Sequence, residues 1–275
     1  MFRLSVSQFC SYRWSFFQDV VRYSKSGISG IGLWRPKLDD FGHDEAIDLL
    51  SEMQMQVSSL SWAGGFTGSN GASFQSSVDD AIESIVLAHR LQAGCLVIHP
   101  GSRNGHTNSH LSRIFRTAFQ TLTPIAEDYG VRLAIEPCLG YRQSPFDFFR
   151  SWQQQFEAIL EFPPDQLGLV IDLYHLGDQT ELLRLLENFL PRIALIQLAD
   201  FQNRPAREEN RCLLGEGEVP IGAWLEQLAR IDYRGFVELE LHGDGLQDLR
   251  YDEIIKSSQS FLRSIPAIQQ RGAAL

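Results

Sequence analysis

This 275-residue chain lacks a CxxC pair, any excess of positive charge, and any apolar run approaching the ~20 residues that span a bilayer. Its four cysteines, Cys10, Cys95, Cys138 and Cys212, are widely scattered and read as reduced thiols, not a disulfide framework. The start, Met-Phe-Arg-Leu-Ser-Val, has no cationic segment followed by a long apolar stretch, as an export signal would. A cytoplasmic location with no membrane partner is therefore expected. A formal charge of −10 argues against nucleic acid, whose phosphate backbone calls for a basic face. A few arginines can still hold a small anion. No GxGxxG or GxxxxGK[ST] opens a helical segment, so the usual nucleotide fingerprints are missing. Low-complexity stretches and linkers rich in Pro, Gly or Ser are missing too, and one domain over 1–275 fits best.

What is present is a regular alternation. Hydrophobic content of 44% and charged content of 21% suit a globular chain with a sizeable core. Candidate strands lie near Arg3–Ser7, Gly30–Trp34, Gln56–Ser61, Cys95–His99, Arg132–Glu136, Leu169–Asp172, Ala194–Leu198 and Phe236–Leu241. Amphipathic helical patterns separate them. Ser76–Leu91 sets Val78, Ile82, Ile85 and Val86 on one stripe, and Leu111–Ile125 does so with Leu111, Ile114, Phe115, Ala118, Phe119 and Leu122. Others fall near Phe16–Ser26, Asp44–Met53, Phe146–Leu160, Glu181–Phe189, Ile221–Ile231 and Tyr251–Ile265. Eight strands, each followed by a helix, predict an α/β fold, a single (β/α)8 TIM barrel. A doubly wound open sheet is the alternative, but it needs no fixed count of eight.

Four of the later strands end on an oxygen donor: Glu136, Asp172, Gln197 and Glu240. Three carboxylates brought together without a cation would repel by roughly 4 kcal/mol per pair at 4 Å and an effective dielectric of 20. If these ends meet, a hard or borderline divalent cation belongs between them. Alternate strand residues point into a barrel. That parity groups Glu136 with Ala134, Asp172 with Val170, Gln197 with Leu195, and His99 with Val97 and Cys95. An inward Glu240 makes Glu238 inward as well, one layer deeper. Arg132 has the matching parity and is expected to pair with it. Trp62–Ser76 and Asp200–Pro220 are too long for ordinary βα connections, and both are expected to overhang the catalytic face. Trp34 and Trp62, at the ends of strands two and three, are expected to wall a pocket.

The motifs LAIEP, VIDLYH, IQLAD and GFVELEL resemble those of the xylose isomerase-like barrel superfamily, nearest to its hydroxypyruvate isomerase-like branch. The resemblance runs along most of the chain and is strongest from Cys95 to Glu240. It implies one divalent cation held by Glu136, Asp172, Gln197 and Glu240, with Glu136 and Glu240 also serving as acid/base groups. Gln197 stands where His is commoner, and its neutral oxygen shifts the preference from zinc toward magnesium, manganese or cobalt. By the same resemblance His175 and His99 contact substrate, as do Arg142 and Arg204. Gly32 stands where many relatives carry Glu, and His242 where hydroxypyruvate isomerases often have Lys.

The implied activity is isomerisation or epimerisation of a small carbohydrate, sugar phosphate or keto acid through an enediolate, in a homodimer. A dehydratase of the inosose or dehydroshikimate type uses the same enolate and is the alternative. A nuclease would need extra histidines, and only seven exist. A binder without turnover would have no need of paired acid/base groups.

Overall fold

The computed structural model describes residues 2–136, 148–149, 151–203 and 210–266. Eight parallel strands close a barrel: β1 (Arg3–Ser7), β2 (Gly30–Trp34), β3 (Gln56–Gly64), β4 (Leu96–His99), β5 (Leu133–Ile135), β6 (Leu167–Asp172), β7 (Ile193–Leu198) and β10 (Phe236–Leu239). The last strand pairs back onto the first, with Ser5 opposite Glu238. Between β7 and β10 the chain makes a short antiparallel hairpin, β8 (Asp200–Phe201) with β9 (Arg211–Cys212).

Helices wrap the outside: α1 (Phe16–Lys25), α2 (Arg35–Phe41), α3 (His43–Glu52), α4 (Phe74–Arg90), α5 (Asn108–Asp128), α6 (Trp152–Ile159), α7 (Leu173–Leu176), α8 (Thr180–Phe189), α9 (Ile221–Arg230) and α10 (Tyr251–Ser264). Several start on side-chain caps that satisfy their orphan N–H groups. Ser15 and Gln18 form a reciprocal box on α1, while Ser73, Thr107 and Ser151 cap α4, α5 and α6. Among the described residues no helix is long and apolar enough to cross a membrane.

The expected strands are present with ends moved by a few residues; β3 runs three residues further, to Gly64. Two short helices, α2 and α7, and the hairpin had no counterpart in the sequence reading. The front of the expected Phe146–Leu160 helix lies mostly outside the described residues, as does Cys138.

Apolar residues separate into two bodies. The larger fills the space between strands and helices. A smaller one, Cys95, Val97, Ala134, Val170, Leu195 and Phe236, is enclosed by the barrel. These six are the inward residues that the two-residue period predicts. They fill the barrel from below and leave the carboxyl-terminal ends of the same strands to polar side chains.

The expected pairing of Arg132 with Glu238 is absent. Arg132 sits at the opposite end of its strand, where its guanidinium donates to the carbonyls of Pro164, Pro191 and Ile193. Glu238 does face inward, but Ser58 and Ser59 of β3 donate to its carboxylate. Donors at its own level satisfy it, and the arginine finds chain carbonyls at the barrel floor.

Candidate active site

Each strand end delivers its side chain to the same mouth. Glu136 follows β5, and its N–H donates to Ile98 O at 3.2 Å, extending the ladder by one residue. Asp172 closes β6 and caps α7: its Oδ1 accepts from Tyr174 N at 2.8 Å. That cap turns the chain sharply and sets His175 back over Asp172, with Nε2 at 3.5 Å from Oδ2. One donor atom from each of Glu136, Asp172 and His175 lies within 4.8 Å of the other two. Atoms about 2.1–2.6 Å from a shared ion stand at most ~4–5 Å apart, so this spacing suits a common cation.

Gln197 is level with Asp172 across β6 and β7. Its Nε2 donates to Glu240 Oε2 at 2.8 Å. Glu240 N in turn donates to Leu198 O at 3.0 Å, which fixes Glu240 beside β7. All four strand-end residues are buried.

Two of their oxygens, Asp172 Oδ2 and Gln197 Oε1, are buried and accept no hydrogen bond. An unsatisfied buried polar atom costs about 1–3 kcal/mol. Oxygens left in that condition, within a ring of carboxyl groups, fit a divalent cation. Burial, then repulsion from Asp172 and Glu238, raises the Glu240 carboxyl to about 8, while Arg211 and Ser7 pull the other way. Glu238 below it is also raised by burial, against the hydrogen bonds of Ser58 and Ser59. Burial is the largest cause of both shifts.

A cavity of about 330 Å³ opens above this ring. Glu136, Glu240 and His175 form its floor, and Phe9, Trp62, His99, Arg211 and His242 its walls. His99 Nε2 stands 3.4 Å from Glu136 Oε2, and its ring meets the Trp62 ring edge to face at 5.2 Å. On the far side His242 Nε2 is 3.8 Å from Glu240 Oε1. Each glutamate thus has a histidine beside it.

Trp34 does not line this cavity. It stands behind Phe9, ring centroids 5.3 Å apart, and Phe9 takes the wall position expected of it. A buried network holds that corner: Lys37 bonds Asp19 at 2.7 Å, and Gln8 bridges Asp19 to the Trp34 backbone.

Arg142 and Arg204 both lie outside the described residues. The arginine found at the cavity is Arg211, carried back over the barrel by the β8–β9 hairpin. Its guanidinium stacks on the Tyr174 ring at 3.7 Å and reaches within 3.9 Å of Asp172 Oδ2. Asp200 anchors the segment that follows: its carboxylate accepts from Phe201, Gly215, Gly217 and Val219 N–H groups. Of the two long loops, the first supplies Trp62, Gly65, Ser69 and Asn70 to the cavity, and the second supplies Arg211.

The family described as "Xylose isomerase-like TIM barrel" matches residues 20–265. An uncharacterized protein of Methanocaldococcus jannaschii is 27% identical over 173 residues, 59% of this chain and 55% of that one. The inosose isomerase of Bacillus subtilis is 28% identical over 144 residues, half of each chain. This chain thus spans about half the length of the curated relatives it matches. Among solved structures, the IolI protein with a bound zinc atom superposes with a TM-score of 0.82 at 18% identity, covering 97% of this chain and 98% of its own.

Proposed function

This chain belongs to the xylose isomerase-like TIM barrel family, and from that premise we propose that it is a divalent-cation-dependent isomerase or epimerase. Its substrate is a small ketone- or aldehyde-bearing polyol or hydroxy-keto acid, and the reaction passes through an enediolate. One observation carries this reading: donor atoms of Glu136, Asp172 and His175 lie within 4.8 Å of one another at a cavity that Glu136, His175 and Glu240 line, while the buried Asp172 Oδ2 and Gln197 Oε1 accept no hydrogen bond. These four residues would hold the cation: Glu136 and Asp172 already bring donor atoms together with His175, while Gln197, level with Asp172, bonds Glu240. Bound there, it would draw electrons from a substrate carbonyl and the neighbouring hydroxyl, acidifying the C–H between them.

The chain's own groups then move the proton. A carboxylate oxygen of one glutamate takes it from carbon, and the bond's electron pair becomes the enediolate. Return to the adjacent carbon gives aldose–ketose isomerisation; return to the opposite face of the same carbon gives epimerisation. Glu136 with His99 and Glu240 with His242 supply two such stations on either side of the cavity. Arg211, buried and stacked on Tyr174, presents a fixed positive charge where oxyanion character develops. Trp62 offers an aromatic wall to the C–H face of a polyol.

The oxygen-rich donor set favours magnesium, manganese or cobalt over zinc. The relation to inosose isomerases makes cyclic polyol ketones the first substrates to try, with ketoses and hydroxypyruvate after them. The test is turnover on that panel by metal-stripped protein reloaded with each cation. Cation-dependent interconversion of one substrate pair is expected. No turnover on any substrate by protein shown to hold the cation would contradict the reading.

A further inference from the structure

The chain leaves β10 through Glu240, and the backbone on either edge of that segment needs partners. On one edge Glu240 N donates to Leu198 O of β7 at 3.0 Å. On the other, the register with β1 runs only to Val6 opposite Leu239. β1 ends at Ser7, and the chain turns into the 3-10 helix Gln8–Ser11. In an unbroken parallel ladder, one residue facing Glu240 would give its N–H to Leu239 O and its C=O to Leu241 N–H. The thiol of Cys10 fills both places instead. Its Sγ donates to Leu239 O at 3.2 Å and accepts from Leu241 N at 3.0 Å. Cys10, Leu239 and Leu241 are all buried, out of reach of bulk water.

The turn that presents Cys10 is held by groups with no place in the proton chemistry. Asp19 of α1, fully buried, accepts from Gln8 Nε2 at 2.9 Å and from Ser11 Oγ at 2.6 Å, the two ends of the turn. Lys37 of α2 bonds Asp19 at 2.7 Å and donates to Ser11 O at 2.8 Å. Ser7 Oγ caps the turn by accepting from Phe9 N. A buried ion pair adds little net stability over apolar packing. Placed here, it ties both ends of a short turn to two helices. Cys10 thus approaches β10 from a fixed base.

We infer that Cys10 is a positioning residue: by bonding the backbone on both sides of Glu240, it fixes the direction in which that carboxyl group enters the cation site. The inference rests on the cation reading above. Leu239 and Leu241 hold Glu240 between them, so a shift of either peptide moves the carboxyl group with it. A thiol is a weak donor and a weak acceptor. The expected effect therefore stands at the low end for groups that orient a ligand, about tenfold in metal affinity.

The experiment is Mn²⁺ titration calorimetry on wild type, Cys10→Ser, Cys10→Ala and Cys10→Val. Wild type is expected to bind. Cys10→Ala removes both bonds and Cys10→Val removes them while filling the space; each should bind about tenfold more weakly. Cys10→Ser keeps a donor and an acceptor and should recover most of that loss. Binding as tight in Cys10→Val as in wild type would mean that bulk alone matters at this position. Cys10→Ser no better than Cys10→Ala would mean that the hydrogen bonds do not act. Either result overturns the inference and leaves the cation reading standing, whereas absence of Mn²⁺ binding by wild type removes both. Should Cys10→Ala and Cys10→Val fail to fold, the Mn²⁺-loaded wild-type crystal structure decides. A Glu240 oxygen on the ion, with Sγ still bonded to Leu239 O and Leu241 N, supports the inference. A thiol turned from either, or an ion that Glu240 does not touch, overturns it.

Discussion

The interior of the barrel is divided into two halves built on the same strands. The lower half holds Cys95, Val97, Ala134, Val170, Leu195 and Phe236, apolar and closely packed. The upper half holds Glu136, Asp172, Gln197 and Glu240, with Glu238 just beneath. On β5, β6 and β7 the two halves lie two residues apart: Ala134 and Glu136, Val170 and Asp172, Leu195 and Gln197. Side chains of both halves point the same way, because the strand period is two. Only height along the strand separates packing from chemistry. The lower half gains stability by excluding water. The upper half keeps carboxyl groups in a setting that burial and mutual repulsion make unfavourable, and the lower half holds the scaffold that tolerates it.

The sharpest break between the halves is one substitution in each. Glu240→Gln should lower kcat by about 10²–10⁴-fold, the usual worth of a positioned acid/base group, while circular dichroism and melting show an intact fold. Full activity in that variant would remove Glu240 from the chemistry. Leu195→Ala, two residues below Gln197, should do the reverse. It should cost about 2–5 kcal/mol of stability in denaturant unfolding, with Mn²⁺ affinity close to wild type once the protein is folded. Affinity falling as far as stability would show that the halves are not separable.

Smaller effects refine the contrast. The Glu240 carboxyl stands above its ordinary range, so its protonated form is favoured in the metal-free protein. The contribution to stability is therefore complete below the unfolded value and is lost as pH rises toward about 8. Cation binding requires the carboxylate, so affinity should climb over the same window by up to about tenfold per pH unit and then level off. Calorimetric titrations across that window check it, and a flat profile would contradict the account. Smaller still, Trp62→Ala should raise KM by a few-fold, on the order of 1 kcal/mol of lost wall contact, with kcat little changed. A large fall in kcat would place Trp62 nearer the reacting atoms than its half-exposed position suggests.

How legible the molecule was in its sequence differs by region in the same way. Apolar runs ending in Glu, Asp or Gln carry both halves at once: the run marks a covered parallel strand, and the last polar residue marks its mouth. The inner cluster, with Ala134 beneath Glu136 and Val170 beneath Asp172, follows from parity alone. What escaped depends on pieces far apart in the chain. The partners of Glu238 are serines of β3 and a gap at Gly32, and nothing near Glu238 announces them. Arg211 could be read from the sequence as a loop arginine suited to an anion, but not its place: it reaches the cavity because β9 pairs back onto β8. Phe9 displaced Trp34 from the wall because a turn of 3-10 helix, Gln8–Ser11, follows β1, too short for any periodicity to show.

The central claim is that oxygens of four strand ends share one ion. A crystal structure of protein soaked in Mn²⁺, with the ion placed by its anomalous signal, tests it most directly. The account predicts a single site with Glu136, Asp172, Gln197 and Glu240 oxygens at about 2.0–2.6 Å from the metal. An ion lodged elsewhere, or four side chains that stay turned from a common point at saturating Mn²⁺, would contradict it.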